Sequence, residues 1–302
     1  MSRKGPGLLL RDISAGKDPQ VTAVIDTILA ARPDVIALQG IDYDLGNLTL
    51  HALAETLGAR GHAMPHVFAA PPNAGRATTL DLDGDGKTGG PGDAQGWGRF
   101  FGQGAMAILS RYPVETADVQ DHGALLWRDL PGALLPQRDG EPFPGSAAQA
   151  EQRLFSHGAW VVPIDHPDLG RVHLLTWHGT PPVFDGPEDR NGRRNHDETA
   201  FWLHYLDGRF GTPPADRFVL LGDANLDPTR GEGRGAVMAR LLAHPALSDP
   251  LGDQPTVAWD QTGPMRVDYV LPSADWKIRG AGILPLNPEA SRHALVWIDL
   301  GR

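Results

Sequence analysis

Apolar residues recur along the chain at two spacings, one typical of helices and one typical of strands. After Asp18, which can cap a helix, Val21, Val24, Ile25 and Ile28 follow at the spacing of one helix face. This pattern predicts a helix that ends near residue 32. Similar patterns predict further helices from a capping Asn47 to about residue 59, near residues 196–206 and near residues 236–242.

Short apolar runs bounded by glycine or polar residues predict the strands. Residues 218–221 are apolar throughout, which is typical of a strand covered on both faces. Because strands and helices do not alternate strictly, the order favours an α+β layered sandwich, and no linker divides residues 1–302 into two domains. The other predicted strands are residues 35–38, 105–110, 159–164, 172–177, 267–271 and 294–298.

Composition and charge exclude several classes of protein. The 302 residues contain no cysteine, which excludes zinc fingers, iron–sulfur clusters and thiol catalysis. A formal net charge of −10 argues against a broadly basic nucleic-acid-binding surface. No run of about 20 apolar residues is present, so the sequence predicts no transmembrane segment.

Polar residues that can carry chemistry stand where predicted strands begin or end. Asp223 and Asn225 follow an apolar strand and Gly222, and residues two apart in an extended segment face the same way. They can therefore converge on one hard cation, and the alternative is an Asx turn that needs no metal. His178 stands at another strand end. Asp268 lies inside an apolar run, where a carboxylate needs a partner.

His293 stands at the start of the last predicted strand. A histidine paired with an aspartate is the arrangement that a general base requires, because the carboxylate fixes the imidazole tautomer.

These motifs, in this order, resemble the endonuclease/exonuclease/phosphatase superfamily, which includes pancreatic deoxyribonuclease, sphingomyelinases and inositol-polyphosphate 5-phosphatases. The most specific parts are Gly-Asp-Ala-Asn at 222–225 and Ala-Met-Ala-Ile-Leu-Ser-Arg at 105–111. The resemblance runs from the helix after Asp18 to the end of the chain. It implies a four-layered α/β/β/α sandwich with two mixed, mainly antiparallel sheets, and metal-dependent hydrolysis of phosphoesters.

The resemblance also implies a role for each matching residue. His293 would activate the attacking water, Asp223 would orient that water, and Asn225 and His178 would hold the phosphoryl oxygens. A Mg²⁺ or Mn²⁺ ion would neutralise the charge that develops on the phosphate.

The chain departs from the family pattern at its metal site. Where the family has a metal-binding Glu after Leu-Gln, this chain has Gly40, so Asp42 or Asp44 is expected to reach the metal instead. Asp42 is favoured because it shares strand parity with Gly40.

Two further departures concern the ends of the chain. Arg292 replaces the Asp of the family's final Ser-Asp-His motif, which leaves Asp268 as the candidate to orient His293. An arginine donates to phosphate but cannot bind a cation. The family's first strand, with its metal-binding Asn, has no counterpart here, so a strand upstream of Ser2 is expected to be missing.

Residues 69–104 read as a loop rich in glycine and aspartate, with a calcium-loop motif inside it. Asp81, Asp83 and Asp85 occupy positions 1, 3 and 5, and Gly86 occupies position 6, which matches the opening of an EF-hand loop. A solvated acidic turn is the alternative.

A basic cluster follows the His178 strand. Arginines suit phosphate oxygens because their planar fork donates in pairs. The expected phosphate-binding residues are Arg190, Arg193, Arg194, Asn195 and Arg292. The alternative for this cluster is a set of surface salt bridges with Glu188, Asp189 and Glu198.

The sequence thus predicts a metal-dependent phosphoesterase that acts on a small phosphodiester, a phosphomonoester or nucleic acid. The alternative is a catalytically impaired family member that serves as a calcium-dependent binding module. A calcium loop is useful where calcium is plentiful, which favours a periplasmic or secreted protein over a cytoplasmic one.

Overall fold

The helix after Asp18 forms as its sequence predicts, because both of its start signals act in the structure. The Asp18 carboxylate accepts a hydrogen bond from the backbone N–H of Val21 at 2.9 Å, and Pro19 occupies the first turn. The structure is a computed structural model and describes residues 1–301.

Six α-helices and fourteen strands make up this described part, together with four short 3₁₀ turns. The helices are α1 (Leu8–Ala15), α2 (Pro19–Ala31), α3 (Leu48–Ala59), α4 (Ser146–Glu151), α5 (Arg190–Leu206) and α6 (Ala236–Leu242). The strands are β1 (Val35–Ile41), β2 (His66–Phe68), β3 (Ala105–Ser110), β4 (Gln120–Asp121), β5 (Gln137–Arg138), β6 (Glu141–Pro142), β7 (Ala159–His166), β8 (Gly170–His178), β9 (Phe218–Asp223), β10 (Val257–Trp259), β11 (Gly263–Met265), β12 (Asp268–Pro272), β13 (Lys277–Ile283) and β14 (Val296–Gly301).

The largest sheet has five strands in the order β12-β9-β8-β7-β4. Its neighbouring strands are antiparallel except for β8 and β9, which run parallel. Helix α5 lies between these two strands in the sequence, as the crossover that joins parallel neighbours requires. The remaining strands form the sheets β1-β3-β2, β13-β14, β10-β11 and β5-β6.

Three apolar cores separate four layers, which confirms the α+β sandwich. Phe201 and Trp202 of α5 pack against one face of the five-stranded sheet, and α6 adds to the same core. The other face of that sheet packs against β3, β13 and β14. Ala107 and Leu109, on the opposite face of β3, pack against α1, α2 and α3. The layers are therefore helices, sheet, sheet and helices.

Some elements differ from the sequence-based expectation. Helix α1 and strand β13 were not predicted, and α5 begins at Arg190 rather than near residue 196. Asn47 precedes α3 but makes no capping hydrogen bond through its side chain. In residues 1–301, none of the helices combines the length and the apolar character needed to cross a bilayer.

Candidate active site

The pairing register brings three of the predicted residues side by side at one end of the strands of the large sheet, and this end of the sheet is called its edge below. His178 ends β8, and its register partner in the parallel strand β9 is Asp223. Asp223 in turn pairs with Asp268, the first residue of the antiparallel strand β12. His293 lies in the segment before β14 and reaches the same edge, where it forms an isolated bridge with Val257 of β10.

The side chains of these four residues form one connected group. Nδ1 of His293 lies 3.0 Å from Oδ2 of Asp268 and 3.7 Å from Oδ2 of Asp223. Nε2 of His178 lies 3.5 Å from that same Asp223 oxygen. Asp223 therefore lies between two histidines, and Asp268 contacts the second of them in the way that a carboxylate orients a general base.

Burial and mutual charge shift the pKa values in this group. Burial raises the pKa of Asp223, and the nearby Asp268 charge raises it further, against the opposing effect of His293. Burial alone would lower the pKa of His293, but its bond to Asp268 and the charges of Asp223 and Asp268 raise it to about 9. Burial lowers the pKa of His178, so this ring is neutral. Without a bound cation, His293 is therefore protonated at neutral pH.

The donor atoms fit a divalent cation. One ligand atom each from Asp223, Asp268 and His293 lies within 4.8 Å of the others. Carboxylate oxygens and imidazole nitrogen are donors that suit Mg²⁺ and Mn²⁺. A cation held by the two carboxylates would also offset the charges that raise the pKa of His293.

Asn225 belongs to the same edge and also forms the Asx turn that was the alternative to a functional role. Its backbone N–H donates to Oδ1 of Asp223 at 2.8 Å, and its Nδ2 donates to the carbonyl of Gly179 at 2.9 Å. The turn leaves Oδ2 of Asp223 facing the two histidines. The Asx turn is therefore present, and the functional role of Asp223 and Asn225 stays a prediction.

The structure does not bring Asp42 and Asp44 into this group. A bulge between Gln39 and Ile41 breaks the strand parity on which the expectation for Asp42 rested. The buried Asp42 carboxylate accepts backbone N–H groups of Arg3 and Gly104. The Asp44 carboxylate accepts the N–H and hydroxyl of Thr49 at the start of α3. Each carboxylate thus satisfies local backbone groups.

The structure does not bring the expected phosphate-binding residues of α5 to the cavity with His293, nor does it pair them in salt bridges with the acids of the alternative. Arg194 is buried and donates to three backbone carbonyls, those of Gln95, Arg153 and Leu154. Asn195 is fully buried, and Arg190 is also buried.

Arg193 donates to the carbonyl of Glu188. The acids expected as salt-bridge partners also pair elsewhere, since Glu188 binds Arg138 and Asp189 binds Arg234. The cavity that is lined by His178, Asp223, Asp268 and His293 is not lined by any of these four α5 residues, whereas Arg292 does line it.

The acidic loop forms a second possible cation site with a different ligand set from the expected one. Carboxylate oxygens of Asp81, Asp83 and Asp93 lie within 4.8 Å of one another. Asp85 is not part of this group, and its carboxylate accepts the N–H of Lys87. Asp93 could have been found in the sequence, because it stands one residue beyond position 12 of the loop.

The sequence gives no sign of two aromatic side chains that lie beside His178 and His293. The ring of His157 stacks on the ring of His178, and the edge of Trp259 meets His293 with ring centroids 6.0 Å apart. Neither belongs to a spacing pattern, so only the folded arrangement reveals them.

The fold and the site define a class of protein: an α/β/β/α sandwich with a cluster of carboxylates and histidines at one sheet edge. The sequence profile of the Endonuclease/Exonuclease/phosphatase family matches residues 10–293, so the chain belongs to this family. Members of the family are metal-dependent phosphoesterases. A search of curated proteins gives no match.

Solved structures share the fold at low sequence identity. An endonuclease/exonuclease/phosphatase from Beutenbergia cavernae is 20% identical, with a TM-score of 0.61 over 94% of this chain and 66% of that one. A family protein from Leptotrichia buccalis is 14% identical, with a TM-score of 0.52 over 94% and 93% of the two chains. A humanized TDP2 from D. rerio is 12% identical, with a TM-score of 0.52 over 98% and 96%.

Proposed function

We propose that the protein is a divalent-metal-dependent phosphoester hydrolase whose active site is the group formed by His178, Asp223, Asn225, Asp268 and His293. The observation that carries the proposal is the contact of 3.0 Å between His293 and Asp268, with Asp223 beside both. This arrangement places a carboxylate-oriented imidazole next to a possible cation site at the rim of a cavity.

Each residue has a role in the proposed reaction. Asp268 holds Nδ1 of His293, so the other ring nitrogen takes the proton of the attacking water. Asp223 orients that water, and His178 and Asn225 hold the phosphoryl oxygens as the P–O bond to the leaving group breaks. Asp223 and Asp268 would hold Mg²⁺ or Mn²⁺, and this ion supplies charge neutralisation at the phosphate.

The test is turnover of bis-p-nitrophenyl phosphate with Mg²⁺, with Mn²⁺ and with chelator. His293→Ala and Asp223→Ala should each lower kcat by about 100-fold or more, because general-base catalysis is worth ~10²–10⁴-fold. His51→Ala, which removes an exposed histidine on α3, is the matched control and should keep full activity. Unchanged turnover in folded His293→Ala would defeat the mechanism.

The substrate belongs to this proposal as well. The net charge of −10 favours a small phosphodiester or phosphomonoester over a long nucleic acid, whose backbone would be repelled. Comparing turnover of the small diester with that of single- and double-stranded DNA at several salt concentrations decides between these substrates.

The second candidate function is calcium-dependent binding without catalysis, and the group of Asp81, Asp83 and Asp93 favours it. If calcium binds there, Ca²⁺ should raise the Tm, and Asp93→Asn should abolish that rise while Asp85→Asn keeps it.

Calcium-dependent stabilisation with no turnover on the phosphoester panel would support the binding module. Stabilisation together with turnover would assign calcium a structural role and favour an exported enzyme. If Ca²⁺ raised the Tm of Asp93→Asn as much as that of the unmodified protein, calcium binding at this group would be contradicted.

A further inference from the structure

Thr256 lies immediately before β10 and contacts both of the chain segments that carry the pair of His293 and Asp268. The residue is buried, with 1% of its surface exposed. On one side it contacts the start of β12, which begins at Asp268. On the other side it contacts the segment that contains His293 and precedes β14. It does not line the cavity on which the two side chains open.

The hydroxyl of Thr256 accepts hydrogen bonds from two successive backbone N–H groups. The nitrogens of Val267 and Asp268 each lie 3.1 Å from its Oγ1. Among the described strands, β12 is the outermost one of the five-stranded sheet and has a neighbour in that sheet on one side only. A hydroxyl oxygen has two lone pairs and can accept both bonds, which spares buried N–H groups from remaining without an acceptor. The hydroxyl thus fixes the backbone from which the side chain of Asp268 extends.

The main chain of Thr256 holds the other member of the pair. Its carbonyl accepts the N–H of Ala294, the residue after His293, at 2.8 Å. Val257, the next residue along the chain, forms the isolated antiparallel bridge with His293. Thr256 therefore fixes the backbone at Asp268 through its side chain and the backbone around His293 through its main chain.

Val267 extends this connection to the third residue of the site. Its N–H donates to the hydroxyl of Thr256, and its carbonyl accepts the N–H of Ala224 at 2.8 Å. Ala224 directly follows Asp223, so a displacement of Val267 would disturb both carboxylates of the possible cation site.

We propose that Thr256 is a positioning residue, whose hydroxyl keeps the carboxylate of Asp268 within hydrogen-bond distance of Nδ1 of His293. The inference rests on the proposed hydrolase function, in which Asp268 orients His293 as the general base. A misplacement of about 1 Å can lower a catalysed rate by ~100-fold, so the rate depends on how firmly this contact is held. The alternative is that Thr256 only fills space, in which case a methyl group can replace its hydroxyl without effect.

Two substitutions separate the hydroxyl from the space that it fills. Thr256→Val has the same shape but accepts no hydrogen bond, whereas Thr256→Ser keeps the hydroxyl. With bis-p-nitrophenyl phosphate and Mg²⁺ or Mn²⁺, Thr256→Val should lower kcat by about tenfold or more and change KM by less than about twofold. Thr256→Ser should keep kcat within about threefold of the unmodified value. Thr256→Ala also removes the acceptor and replaces Thr256→Val if that variant does not fold.

The matched control is Thr199→Val on α5. This substitution also removes a fully buried hydroxyl, which donates to the carbonyl of Asn195 in the same helix. It should leave kcat unchanged, because Thr199 makes no contact with the segments of Asp268 and His293 among the described hydrogen bonds. An equal loss of kcat in this control would assign the effect of Thr256→Val to general destabilisation and overturn the proposal.

A crystal structure of Thr256→Val measures the same effect without turnover. The distance between Nδ1 of His293 and Oδ2 of Asp268 should lengthen from 3.0 Å to beyond about 3.5 Å, the limit of a hydrogen bond. Thr256→Ser should keep the shorter distance.

Three further results would overturn the proposal. The first is an unchanged distance in Thr256→Val, and the second is an equal loss of kcat in Thr256→Val and Thr256→Ser. The third is a raised KM with unchanged kcat, since this would indicate a role in substrate binding. Absence of turnover in the unmodified protein would contradict the hydrolase proposal, whereas the crystallographic distance would still decide the role of Thr256.

Discussion

His157 stacks on a proposed catalytic residue without belonging to any sequence motif. Its ring centroid lies 3.9 Å from that of His178, with only 11° between the ring planes. Its Nδ1 lies 3.0 Å from Oγ of Ser156 and 3.3 Å from the carbonyl oxygen of His178. Burial lowers the pKa of His157 to about 4. A neutral ring thus supports the plane of His178 at neutral pH.

This pKa shift predicts a loss of stability in acid. The folded-state pKa lies below the unfolded value of 6.5, so the unfolded chain binds the proton more readily. The free energy of unfolding should fall by about 3 kcal/mol as the pH drops from 7 toward 4, at ~1.4 kcal/mol per pKa unit. His157→Phe keeps a flat ring that cannot titrate.

Urea unfolding of both proteins at several pH values isolates the effect of His157 from that of other groups. The variant should lose about 3 kcal/mol less than the unmodified protein across this interval. Equal losses in the two proteins would contradict the assignment of His157 as a buried neutral base.

At the residue scale, the sequence predicts side chains that stand where strands begin or end, and it fails where an interaction depends on the folded arrangement. Asp223 and His178 stand out because each directly follows an apolar run. The stacking of His157 joins residues from β8 and from the loop before β7, and no spacing rule links them. Asp42 was favoured on parity, which the bulge near Gly40 breaks.

At the scale of elements, the start of α3 shows how a predicted helix can form from a different signal. Asn47 was the expected cap, but it adopts a left-handed conformation and makes no capping bond through its side chain. The Asp44 carboxylate instead accepts the N–H of Thr49 at 3.0 Å. A carboxylate near a helix N-terminus also interacts favourably with the helix dipole.

Asp44→Ala should therefore lower the free energy of unfolding by about 1 kcal/mol, the usual effect of losing a helix cap. Asp44→Asn keeps an acceptor and should cost less. If the proposed hydrolase activity holds, both variants should keep metal-dependent turnover, because Asp44 lies outside the proposed active site. Urea unfolding and metal titration of turnover check the two expectations. Loss of metal affinity with unchanged stability would restore Asp44 as a ligand.

The spacing of apolar residues predicts only the later part of α5, near residues 196–206, although the helix begins at Arg190. Its first half carries buried polar residues, and Asn195 donates to the carbonyls of Thr180 and Ala224. Glu198 is also buried and accepts the backbone N–H groups of Ser156 and Thr180. A pattern that assigns polar side chains to solvent cannot recognise such a face. These residues hold the loops that follow β8 and β9 and the loop that precedes β7.

At the scale of the whole molecule, the layered architecture could be predicted because apolar strands covered on both faces require layers on both sides. The cavity of about 1520 Å³ that is lined by both β1 and β14 could not be located from the pattern alone. Whether two strands are neighbours depends on long-range pairing, and residues that line a cavity have the same apolar sequence as residues in a complete sheet.

The four principal residues of the site, His178, Asp223, Asp268 and His293, reach one edge from separate segments of the chain. The first three are fixed by strands of a single sheet, so the connecting loops do not set their relative positions. Changing the length of a surface loop costs little free energy when the strands that it joins stay paired. The protein is therefore a suitable scaffold for loop grafting, in which the loops around the site are exchanged while His178, Asp223 and Asp268 keep their places.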